Sequence, residues 1–216
     1  MAELRLWGRP DEQRMLEAMR RKRPNFQPGP PASFTPDDGW HFDDFRQPLR
    51  GEPPGPPLAN GSFVAAKRLA RNYDFAEPSI VRASWDPSEP LERRTMLLEL
   101  RFAGLRLYVG VRVGDVFEER RTEGGRVAWA WGWTYRTLEG HVEAGEMRWE
   151  IRKWLDTGEV EFRIHAFSRW VADGNPLLRM ALHLIGRREQ LRFMRLTCRR
   201  MAALTAAAVG GDAQPT

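Results

Sequence analysis

The run G-H-V-E-A-G-E over residues 140–146 holds the side chains best suited to chemistry. His141 can serve as a general base near neutral pH, with Glu143 or Glu146 to orient it and Thr137 to position a substrate oxygen. On this reading His141 and Glu146 are the acid–base candidates. The same donors could ligate a metal, but H-x-E-x-x-E in a turn is not a strong metal pattern and no second histidine lies nearby in sequence, whereas zinc and iron sites need three or four convergent ligands. No metal and no cofactor are expected. The plainer reading is that Gly140 and Gly145 shape a turn whose backbone His141 and Glu146 hydrogen-bond.

A second set of residues is suited to binding. Val127, Trp129, Trp131, Trp133 and Tyr135 fall at every second position, so a strand puts them on one face. The interleaved Ala128, Ala130, Gly132 and Thr134 are small, so other groups can approach the opposite face closely. With Trp149, these rings can line a pocket for a flat or greasy molecule, or they can fill a core. The expected ligand-binding set is Trp129, Trp131, Trp133, Tyr135, Thr137, Trp149 and Arg112. Arg112 and Arg188 flank or interrupt apolar faces, where either can meet a carboxylate. His165 shares a face with Glu161 and Arg163, and His183 reads as a helix-surface residue. Cys198 reads as a small buried hydrophobe with no base beside it. G-x-S-x-G and phosphate-cradling glycine loops are absent.

These residues need elements to hold them. Residues 10–23 read as a short helix with Met15, Leu16 and Met19 as its stripe. Residues 24–57 hold ten of the sixteen prolines and read as an extended segment, with Phe34, Trp40, Phe42, Phe45 and Leu49 as anchors on the domain surface. Asn60-Gly61-Ser62 opens a helix ending near Asn72. The period then changes to two. Candidate strands cover 80–85, 95–102 and 105–117, then the tryptophan strand, the run through Met147, Trp149 and Ile151, and the run through Val160, Phe162, Ile164 and Ala166. Ala103-Gly104, Glu123-Gly124-Gly125 and Asp156-Thr157-Gly158 are the turns. Asn175 and Pro176 start a long last helix whose stripe runs Leu177, Met180/Ala181, Leu184, Leu191, Met194, Cys198 and Met201, closed by Gly210-Gly211.

The 216 residues are 42% hydrophobic and 11% aromatic, enough for one domain with a substantial core. Net charge is +5, but the arginines are spread along the chain among Glu and Asp, without a contiguous basic face. Nucleic acid is therefore not an expected partner. No apolar run approaches the roughly 20 residues of a membrane span, no apolar leader is visible, and Cys198 is the one cysteine. The expected location is cytoplasmic.

The central run resembles Uncharacterised Protein Family 0548, a group of bacterial and plant proteins. The resemblance is carried by Trp131-Gly132-Trp133, Thr137-Leu138-Glu139-Gly140-His141, Gly145-Glu146 and Ala166-Phe167-Ser168-Arg169. Trp7-Gly8-Arg9-Pro10 is similar to the family's opening, and Gln190 and Phe193 match its Q-x-x-F. Thr134 and Arg136 stand where some members have glycines. The resemblance implies a fold similar to the helix-grip domains of the START and Bet v 1 kind. It brings no catalytic residues.

The expected architecture is α+β: a curved antiparallel sheet of about six strands gripping a long C-terminal helix. Residues 1–60 form an N-terminal helix and proline-rich segment packed on the domain, 61–209 the helix-grip-like domain, and 210–216 a frayed tail. The expected function is binding of a small hydrophobic or amphipathic molecule between sheet and helix. The alternatives are an enzyme on the same scaffold and a protein-interaction module built on the proline-rich segment.

Overall fold

Tight turns convert the alternating stretches into one antiparallel sheet. In the computed structural model, which describes residues 3–5, 11–27, 29, 33–102, 104–171 and 186–210, eight strands and three α-helices follow one another. They are β1 (Glu3–Arg5), α1 (Glu12–Arg20), β2 (His41–Pro48), α2 (Ser62–Arg71), β3 (Val81–Ser84), β4 (Thr95–Phe102), β5 (Leu105–Glu123), β6 (Arg126–Thr137), β7 (Glu143–Trp154), β8 (Val160–Trp170) and α3 (Arg187–Gly210). The strand order is β2-β8-β7-β6-β5-β4-β3, and β1 pairs with β5. Gly124 and Gly125, both at positive φ (56° and 80°), make the two-residue turn between paired Glu123 and Arg126.

Strands β3 to β8 are the six that the alternation predicts. Two more join them. β2 arises inside the proline-rich segment and pairs with β8 over its whole length, from His41↔Ser168 to Pro48↔Glu161. H-F-D-D-F-R-Q-P has no apolar alternation because an edge strand needs none, and Pro48 closes it where no ladder bond is lost. Around β2, Phe26, Phe34 and Trp40 pack on Phe167 and Ala144, while Phe42 is 51% exposed.

One face of the sheet carries the main core, with Met96 and Leu98 of β4, Val109 and Val111 of β5, and matching residues of β6 to β8. Helices α2 and α3 lie in it, through Phe63, Ala66 and Ala70 and through Phe193, Met194, Cys198 and Met201. A curved sheet closed around helices in this way is a helix-grip arrangement. Where register shifts between Val113 and Val116, β5 carries a bulge whose Asp115 amide donates to Thr134 Oγ1 at 3.1 Å. After α2, Tyr73 takes φ 59°, the one non-glycine residue at positive φ among the described residues, and sets its ring against Trp133 and Trp149.

The other face explains the small residues of β6. Ala128, Ala130 and Gly132 let side chains of β5 and β7 meet above them. Arg121 of β5 bonds Glu150 of β7, Arg152 of β7 bonds Glu123 of β5 at 2.6 Å, and Arg148 lies 4.2 Å over Phe117. A Cβ at Gly132 would overlap the Trp149 carbonyl. Helix α1, capped by Asp11, packs Leu16 and Met19 on Leu97, Tyr108 and Leu138 of this same face.

The expected helix start at Asn175 and Pro176, with Leu177, Met180, Ala181, His183 and Leu184, lies outside the described residues. So do residues 7–10, Ala103 and the tail after Gly210. Among the described residues no helix is long and apolar enough to cross a membrane.

Candidate functional site

Three neighbouring strands line up their inward side chains in rows. Trp133, Trp149 and Ile164 form one row, and Tyr135, Met147 and Ala166 the next. The last is Thr137, Gly145 and Ser168. Side chains shrink from row to row toward the turn between β6 and β7. The sheet and α3 stay apart at a distance set by the wide rings, so the narrow rows leave space.

That space is a cavity of about 140 Å³. Ile80, Val81, Leu98, Leu100, Met147 and Phe193 give it apolar walls. Thr137, His141, Glu143, Ser168, Glu189 and Gln190 make its other end polar. These residues come from β3 and the residue before it, β4, β6, β7, β8, α3 and the turn before β7.

Local structure holds each polar group in place. Gly140, at φ 83°, reverses the chain, and the His141 amide donates to the Leu138 carbonyl at 2.9 Å. His141 Nδ1 accepts from the Glu143 amide at 3.0 Å, so that nitrogen carries no proton. Thr137 Oγ1 accepts from the Gly145 amide at 2.9 Å and donates to Asn25 Oδ1 at 2.6 Å. Asn25 Nδ2 in turn donates to the Glu143 carbonyl at 2.8 Å. The segment after α1 thus straps the turn from outside. A Cβ at Gly145 would overlap the Phe167 carbonyl, so glycine is what lets β7 and β8 close up beside Ser168.

From the other side, Arg187 forks onto Asp43 of β2 through two 2.7 Å bonds and fixes the first turn of α3. Gln190 accepts from Arg187 at 2.8 Å and donates to Ser168 Oγ at 3.2 Å. Its amide nitrogen lies 3.5 Å from Glu143 Oε2.

The two titratable groups at this end are pushed in opposite senses. Burial lowers His141 to about 4, and the charge of Lys22 acts in the same direction. Burial raises Glu143 to about 7, with Asp43 adding to the effect and Arg187 opposing it. At neutral pH the imidazole is uncharged, and Glu143 sits near its midpoint. Cys198 is pushed up to about 12 by burial, which leaves an inert thiol.

Of the expected binding residues, Tyr135 and Thr137 line the cavity. Trp131, Trp133 and Trp149 do not. Trp133 and Trp149 are fully buried, packed among Tyr73, Phe75 and Phe162, and Trp133 donates to the Ala70 carbonyl at 3.2 Å. Trp131 lies under the Lys67 ammonium, and Trp129 is partly exposed, with its indole N–H on Glu118 at 3.3 Å. Rings of this size fill the gap between sheet and α2 completely, so they build the core rather than a pocket. Arg112 is on the opposite sheet face, where it donates to the carbonyls of Arg20 (2.8 Å) and Lys22 (3.0 Å) at the end of α1.

His141 does line the cavity, but it does not pair with Glu146. Cross-strand Arg136 holds that carboxylate at 2.6 Å. Glu143 meets His141 through its backbone amide, and its carboxyl faces Gln190 instead. Gln190, Ser168 and Phe193 were readable only as parts of the Q-x-x-F and A-F-S-R motifs. Asn25, Asp43 and Arg187 gave no signal, because their partners are more than a hundred residues away. Among the described residues no group of three or more His, Cys, Asp or Glu is placed to hold a metal.

Comparison with known proteins agrees with the motifs. Among solved structures, a crystal structure of Ara h 8.0201 aligns with a TM-score of 0.41 at 10% identity, covering 76% of this chain and 99% of that one. A search of curated proteins gives no match. The model of the family described as "Domain of unknown function (DUF1990)" matches residues 29–200, a span containing every cavity residue named above, and the chain belongs to that family.

Proposed function

We propose that this domain is a container for a small amphipathic molecule, held in the cavity between the sheet and α3. The observation that carries the reading is the cavity's division. Apolar walls from β3, β4, β7 and α3 face a polar end at which groups from the turn, β7, β8 and α3 converge. Binding sites combine an apolar body with a few convergent polar groups in this way. An apolar cavity of about 150 Å³ takes one benzene ring, so the enclosed part of the ligand is about one ring in size. The single buried thiol, Cys198, fits a reducing, cytoplasmic setting.

Methyl-labelled methionine provides the test. In NMR titrations with benzene, the Met147 methyl is expected to shift saturably, while those of Met194 and Met201, buried away from the cavity, stay still. Ala166→Leu, which fills the cavity, abolishes the shift. Shifts absent at Met147, or spread evenly over all three methyls, would refute the container.

A further inference from the structure

The polar end of the cavity gathers several ionisable side chains, most of them already paired. Arg187 is committed to Asp43, and Arg101 to Glu99 at 2.9 Å. Glu146 is held by Arg136 at 2.6 Å, and Glu189 by Arg192 at 3.0 Å. His141 is neutral and Ser168 already accepts a bond from Gln190. Each charged side chain on the wall among the described residues therefore has its counter-ion, with one exception. Among the described residues, Glu143 has no cation within ion-pair distance, and its side-chain partner is the Gln190 amide at 3.5 Å, a long contact. A carboxyl in such a place needs a donor or stays protonated.

We propose that the molecule held here is an amphipathic amine. Its apolar body lies against Ile80, Leu98, Leu100, Met147 and Phe193, and its protonated nitrogen donates to the Glu143 carboxylate. This rests on the container reading above. Among the described residues an anionic head group would meet Glu143 with no uncommitted cation opposite it, and a neutral one would leave the carboxyl unpaired.

Three probes of matched shape decide the matter: 2-phenylethylamine, 3-phenylpropionate and propylbenzene, titrated by calorimetry and followed at the Met147 methyl. The amine is expected to bind about tenfold or more tighter than the other two. Glu143→Gln should remove that advantage and leave propylbenzene within about twofold. The groups facing the Glu143 carboxyl are Asp43 of β2 and Arg187 and Gln190 of α3. Because Glu143 ionises near neutrality, amine affinity should rise between pH 5.5 and 8 in the wild type and stay flat in Glu143→Gln. If all three probes bind with no preference for the amine, or 3-phenylpropionate binds best, the charge assignment is overturned while the container stands. If propylbenzene fails as well, both fall. The wild-type ranking alone decides between amine and acid, so the result does not depend on a variant folding.

Discussion

The two ends of the space between sheet and helices are built by the same strands and reach opposite outcomes. At one end Trp131, Ile151 and Phe162, then Trp133, Trp149 and Ile164, close the interior with large side chains. Beyond them Lys153 is fully buried, 2.7 Å from Glu52 and 2.9 Å from the Pro56 carbonyl. Glu52 also accepts the Phe63 amide and so caps α2. Four residues further along each strand the rows have shrunk to Thr137, Gly145 and Ser168, and a cavity replaces the core. One end spends its aromatic rings on rigidity. The other keeps polar groups at work distances from an empty volume. A strand can thus be structural at one end and ligand-facing at the other, with side-chain size as the control.

The most damaging test of this division is truncation. Trp149→Ala should cost about 3–5 kcal/mol in chemical denaturation, the range for large aromatic truncations in packed cores. Tyr135→Ala, two residues from Trp133 but bordering the cavity, should cost clearly less. Equal losses would erase the distinction between the ends. Next comes the buried ion pair. Lys153→Met leaves Glu52 buried without its cation and should cost about 3 kcal/mol, while adding Glu52→Gln should recover part of it. Recovery is incomplete because Glu52 also accepts the Phe63 and Leu58 amides. A single variant as stable as wild type would mean that the pair does not hold the closed end.

At the open end, Ala166→Leu adds volume where space exists, so its stability should stay within about 1 kcal/mol of wild type. A larger loss in thermal melts would place Ala166 in the core instead. The last test of the open end is pH. His141, depressed from 6.5 to about 4, contributes stability that is present above pH 6.5 and lost as pH falls toward 4. Glu143, raised from 4.5 to about 7, contributes stability present below pH 4.5 and lost as pH rises through 7. The stability profile of His141→Gln should therefore be flatter on the acid side, and that of Glu143→Gln flatter between pH 4.5 and 7. Profiles unchanged from wild type would show that both groups are solvated.

Much of the scaffold was legible. Alternation in Met96–Leu98–Leu100 and in Trp131–Trp133–Tyr135 named the inward faces correctly, because period two is a property of the extended chain itself. β2 was hidden. H-F-D-D-F-R-Q-P is a strand because β8, more than a hundred residues later, offers it an edge, and nothing local requires it. The candidate site was legible in part. His141, Thr137 and Tyr135 could be singled out, and Gln190 and Phe193 lay in a motif. That Glu146 does not orient His141 depended on Arg136, which reaches across the strand pair to take Glu146.

The amino-acid sequence by itself determined strands β3 to β8, their inward faces, the glycine turns that join them and the amphipathic helices, since these follow from side-chain patterning and backbone sterics over a few residues. Tertiary structure alone decided where the core stops and the cavity begins. That boundary depends on the register that stacks Trp149 on Ile164 and Gly145 on Ser168, and on the docking of α3 through Arg187 to Asp43. Register and docking are contacts between distant segments, and the size of the space they enclose is a sum over several strands that no single stretch of chain contains.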